Sequence, residues 1–76
     1  MQNILRINSL VVFDKTKVSE DIYNQYFKST FENKVFIFLG EVPNAKGHCI
    51  LGDLETGKVL GLYHTENFRE ANEDEV

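Results

Sequence analysis

The chain has 76 residues, 12 of them Asp or Glu and 8 Lys or Arg, for a formal net charge of -4. That length leaves room for one small domain over residues 1–76, and a chain of this size buries only about 60% of the surface its unfolded form exposes, so its stability margin is thin. The acidic balance argues against a partner bound by phosphate neutralisation, and the longest unbroken apolar run, the five residues Val35 to Leu39, is far too short to span a bilayer. The charge is also unevenly placed. Glu66, Glu70, Glu73, Asp74 and Glu75 face only Arg69 in the last eleven residues, so those residues carry the whole excess and the first 65 are neutral.

Taken in chain order, Leu10-Val11-Val12-Phe13 reads as a short strand covered on both faces, because it is rich in β-branched and aromatic residues. Ser19 is a helix N-cap, with Glu20 and Asp21 suited to the positive end of the helix dipole. Ile22, Tyr23, Tyr26, Phe27 and Phe31 then recur at three- and four-residue spacing, which predicts an amphipathic helix over residues 20–31. Asn33 tolerates a left-handed conformation and stops it.

Residues 34–42 form the strongest predicted strand. Val35, Ile37 and Leu39 point one way and Phe36 and Phe38 the other, so both faces should be buried, with the helix on the Phe36/Phe38 side. Residues 41–47 contain the next turn. Residues 48–53 and 58–63 read as a hairpin about Leu54-Glu55-Thr56-Gly57, with Leu60 and Leu62 on one face and Val59 and Tyr63 on the other. A polar turn at residues 64–67, a short strand at 68–71 and a frayed acidic end at 72–76 complete the chain. Five short strands in so small a chain predict a mainly β fold closed into a barrel, with the helix inserted between the first and second strands.

Residues 61–70, Gly-Leu-Tyr-His-Thr-Glu-Asn-Phe-Arg-Glu, resemble the closing segment of Src-homology-3-like (SH3-like) domains. Gly61, Leu62, Tyr63, Asn67 and Phe68 match that segment in type and spacing, and the predicted strand order fits as well. The resemblance implies a five-stranded SH3-like barrel. It does not carry the family's proline-rich-peptide groove. The chain has no Trp, His64 stands where the motif has Pro, and Phe68 where it has Tyr. A very short acidic chain of this style also resembles small phage or mobile-element accessory proteins.

No catalytic constellation emerges. His48 and Cys49 are neighbours in a strand, so they point to opposite faces and cannot pair as a nucleophile. Cys49 reads as a small buried apolar residue, and one cysteine with no partner fits a reducing, cytoplasmic setting. His48, Cys49, Asp53 and His64 lack the tight spacing of a metal knuckle. We therefore expect no cofactor, no metal, no enzymatic activity and no membrane partner. The expected function is that of a non-catalytic protein-binding module, an inhibitor or adaptor meeting a basic surface. Its contacts would be Glu66, Glu70, Glu73, Asp74 and Glu75, with Tyr63, His64 and Phe68 at the rim. The alternatives are a self-associating assembly subunit or, further off, a nucleic-acid-binding barrel or an enzyme.

Overall fold

A computed structural model describes residues 5–76. Five antiparallel strands, β1 (Leu10–Phe13), β2 (Phe36–Val42), β3 (Ala45–Asp53), β4 (Val59–His64) and β5 (Phe68–Glu70), form one sheet in the order β4-β3-β2-β1-β5. A helical run over residues 20–31, here α1, connects β1 to β2. Single turns of 3-10 helix lie at Lys15–Lys17, Thr65–Asn67 and Glu73–Glu75. Among the described residues no helix is long and apolar enough to cross a membrane.

The local signals act as expected at both ends of α1. The Ser19 hydroxyl accepts the Ile22 N–H at 3.3 Å, and Asn33 takes a φ of 56° to end the run. Its middle differs from a regular helix. Tyr23–Phe27 is a π turn, with the Lys28 N–H donating to the Tyr23 carbonyl. The wide turn has a packing consequence. Residues four apart drift by about 40° per step around an α-helix, and a π turn opposes that drift. Tyr23, Phe27 and Phe31 thereby stay on one face. Tyr23 and Phe31 are buried and Phe27 packs against the core, while Ile22 and Tyr26, expected in the stripe, face solvent.

The stripe lands on the inner face of the sheet, on the Phe36/Phe38 side as predicted. Phe13 and Phe31 are the hubs of the resulting aromatic cluster. Phe13 lies with its ring centroid 4.7–5.4 Å from those of Tyr23, Phe27, Phe31 and Phe68. Phe31 reaches Phe36 at 5.3 Å, Tyr63 at 5.0 Å and Phe68 at 5.3 Å. Contacts of this geometry add about 0.5–1.5 kcal/mol each beyond the area they bury.

Three sequence expectations are corrected here. The sheet is open, because no ladder joins β4 to β5. Phe31 of the helix packs against both Tyr63 of β4 and Phe68 of β5, whose rings also lie 6.2 Å apart, so aromatic packing and no hydrogen-bonded ladder joins the two edge strands. Second, β2 is buried on one face only: Phe36 and Phe38 are inside, Ile37 is half-buried and Leu39 is exposed. Third, β4 does not alternate regularly. Cys49 pairs with Tyr63 and Leu51 with Leu60, so one residue of β3 opposes two of β4. That bulge turns both Leu60 and Tyr63 inward and leaves Val59 and Leu62 outside.

The two hairpins also have clear local causes. Strand β3 starts earlier than expected because Val42 pairs with Ala45 across Pro43-Asn44, and Gly47 absorbs the irregular register beyond at a φ of 80°. The β3–β4 hairpin is held by Asp53. Its Oδ1 accepts the Glu55 and Thr56 N–H groups at 2.8 and 3.3 Å, and its carbonyl accepts the Gly57 N–H at 2.8 Å. These backbone N–H groups, Glu55 first, hold the Asp53 carboxyl below the usual carboxylate range, with Lys34 3.8 Å away adding to the effect.

Candidate functional site

The eight residues singled out from sequence do not form one surface. Phe68 is fully buried and belongs to the core, so it is no rim contact. Tyr63 is half-buried, its ring turned toward Phe31. His64 is exposed, but on the outer face of the sheet. There its ring centroid lies 4.4 Å from that of His48, its cross-strand partner. The Lys46 carbonyl, 3.1 Å from His48 Nδ1, assigns that nitrogen as the donor.

The acidic end is an ordered element. Residues 72–76 were expected to fray; instead Asn72 opens the 3-10 turn at Glu73–Glu75 with a capping box, the Glu75 carboxylate accepting the Asn72 N–H at 2.8 Å. The same carboxylate takes both arms of the Arg69 guanidinium, at 2.7 and 2.8 Å. Arg69 and the Asn72 N–H together hold the Glu75 carboxyl down to about 2. Glu70 is paired as well. Arg6 reaches its two oxygens at 2.9 and 3.3 Å and lowers its pKa. These two bidentate pairs neutralise Glu70 and Glu75. Among the described residues Glu66, Glu73 and Asp74 have no ion pair and remain as the uncompensated acids of this end.

Asp74 and Glu75 also help line a cleft of about 580 Å³. It opens where β1 and the segment leading into β2 diverge. Its apolar wall includes Phe13, Tyr23 and Phe31, and its charged rim adds Asp14, Lys15, Lys34 and Arg69. Lys15 Nζ sits 4.9 Å from the Tyr23 ring centroid. The Thr16 hydroxyl and N–H donate to Asp14 at 2.6 and 3.0 Å and lower its pKa, the hydroxyl having the larger effect. A smaller hollow of about 250 Å³ adjoins it, lined by Lys34, Asp53 and Glu55.

Sequence reasoning missed the anchoring arginines Arg6 and Arg69 and the β1 side of the cleft. One signal was legible: Asn72 followed three residues later by Glu75 is a capping-box spacing. The pairing of Arg6 with Glu70, 64 residues apart, has no local signature.

Cys49 is fully buried on the inner face, opposite in direction to His48. Burial pushes its thiol pKa up, and the Thr65 hydroxyl only partly offsets this. Among the described residues no group of three or more His, Cys, Asp or Glu side chains is placed to hold a metal ion. No protein-family model, curated protein or solved structure matches this chain.

Proposed function

We propose that the chain is a non-catalytic protein-binding module that presents its acidic C-terminal end to a basic partner. One observation carries this reading. The acidic turn is fixed on the body by the Arg69–Glu75 pair and the Asn72 capping box, so Glu73 and Asp74 project from a defined position beside the cleft. Asp74 stands exposed on the rim of the cleft and Glu73 is exposed next to it, so two fixed, unpaired carboxylates are open to a basic side chain. Pre-ordering the turn also lowers the entropy cost of binding. Long-range attraction to such a surface raises association rate more than affinity.

We read the scaffold as SH3-like. The order β4-β3-β2-β1-β5, the consecutive hairpins of β2, β3 and β4, and the 3-10 turn leading into β5 support that reading. The size and acidity of the chain are in keeping with an inhibitor or adaptor of the phage accessory type acting in the cytoplasm.

The test is capture from extract of the source cells with the native chain and with the Glu73→Gln/Asp74→Asn variant, at low and high salt. The proposal expects a basic protein captured by the native chain at low salt and lost with either change. Capture insensitive to both variant and salt would show that the acidic end is not the contact.

A further inference from the structure

The β3–β4 hairpin brings together two histidines that are far apart in the chain. His48 of β3 and His64 of β4 are direct partners in the antiparallel register, and their ring centroids lie 4.4 Å apart with the planes inclined at 42°. The Lys46 carbonyl accepts from His48 Nδ1 at 3.1 Å, which leaves the ring's free lone pair on Nε2. A backbone carbonyl on the far nitrogen is also how a metal-binding histidine is commonly held and its tautomer fixed. Among the described residues neither ring takes part in an ion pair. The separation is informative as well. Two imidazole nitrogens bound to one metal ion at about 2.0–2.1 Å, with an angle of about 90–110° between them, place their ring centroids about 4.5–5.2 Å apart. The observed 4.4 Å lies at the short edge of that range, so the adjustment asked of the pair is ring rotation and not strand movement.

We propose that His48 and His64 form a two-histidine site for a divalent late transition-metal ion of the zinc, nickel or copper type, with water completing the coordination. The donor set selects that class. Imidazole suits zinc, copper and nickel, whereas magnesium and calcium require oxygen ligands, and no carboxylate joins this pair. The other two candidates weighed from sequence are engaged elsewhere. Cys49 is fully buried on the opposite face, and the Asp53 carboxylate caps the hairpin turn. The site therefore has two protein ligands and open positions. It lacks a knuckle spacing because its ligands meet across a hairpin and not within one loop. An ion held there ties the last residue of β4, an edge strand, to β3. This proposal is independent of the acidic end and stands or falls separately from it.

Titration of the full chain with Zn²⁺, followed through the imidazole resonances by NMR, tests it. The native chain should bind one ion, and the His48 and His64 rings should shift together along one binding curve. His48→Gln and His64→Gln should each weaken binding by at least about tenfold, since a lone imidazole loses its intramolecular second ligand. Either variant serves if the other does not fold. Cys49→Ala should leave the affinity unchanged, and Mg²⁺ should shift neither ring. Zinc that shifts neither ring, or only one of them, overturns the proposal. So does an affinity that neither glutamine variant lowers, or one that Cys49→Ala lowers as much as they do.

Discussion

The two faces of this sheet have the same aliphatic and aromatic appeal in the sequence and different fates in the structure. On the inner face Phe36, Phe38, Leu51 and Cys49 are all buried, with Phe31 of α1 packed on Phe36. On the outer face nothing among the described residues covers Val59 or Leu62. The same strands contribute to both. Whether an apolar position becomes core therefore depends on which side the single helix occupies. Among the described residues α1 is the one helix longer than a single turn, and the connection between β1 and β2 delivers it to the inner side.

The sharpest way to break this comparison is to cut into the inner face. Phe31→Ala should cost about 3–5 kcal/mol, because Phe31 is buried and links the helix to rings on four strands. Against the small margin expected of a domain this size, that loss leaves much of the protein unfolded at physiological temperature. A urea titration followed by circular dichroism measures it. The matching cut on the outer face, Leu62→Thr, should change monomer stability by about 0.5 kcal/mol or less, as exposed positions usually do.

A smaller effect is expected at the acidic end. Glu75→Gln removes the charge that Arg69 holds, so the Glu73–Glu75 turn should open while the sheet stays folded. Hydrogen exchange would show the Glu75 amide, which donates to the Asn72 carbonyl at 2.9 Å, losing protection before the strands do. The pH dependence has a definite sign. The Glu75 carboxyl titrates at about 2 when folded against an ordinary 4.5, so its contribution is complete above 4.5 and is lost as pH falls toward 2. Asp14, Asp53 and Glu70 are also depressed and act in the same direction. The turn should therefore be intact at neutral pH and released in acid, which a carboxylate-resolved NMR titration would follow. The smallest expected effect is that of Asp74→Asn, which should slow association with a basic partner severalfold at low salt and leave the fold untouched.

Much of the architecture was legible in the chain because its signals are local. Ser19, Asn33 and the four-residue spacing of Tyr23, Phe27 and Phe31 place the helix. The β-branched runs place the strands, and Gly57 marks the hairpin. What was not legible depends on contacts distant in sequence. The spacing draws Ile22 and Tyr26 into the helix stripe, since nothing in the pattern announces a π turn. The sequence of β4 predicts regular alternation, since a bulge opposite Ile50 is a property of two strands together. Strand count alone predicts barrel closure, but the mutual packing of Phe31, Tyr63 and Phe68 joins the edge strands without a ladder. The candidate site was less legible than the fold. Charge counting found the acidic end but could not see that Arg6 and Arg69 neutralise part of it, nor that Phe68 is needed in the core.

The division between the two faces is the central claim, and one measurement addresses it directly. The double variant Val59→Thr/Leu62→Thr keeps strand-favouring residues while removing apolar surface from the outer face. Its urea unfolding, at a concentration low enough to keep the native chain monomeric, should give a stability within about 1 kcal/mol of native. A loss of several kcal/mol, comparable to Phe31→Ala, would show that the outer face is part of the core after all.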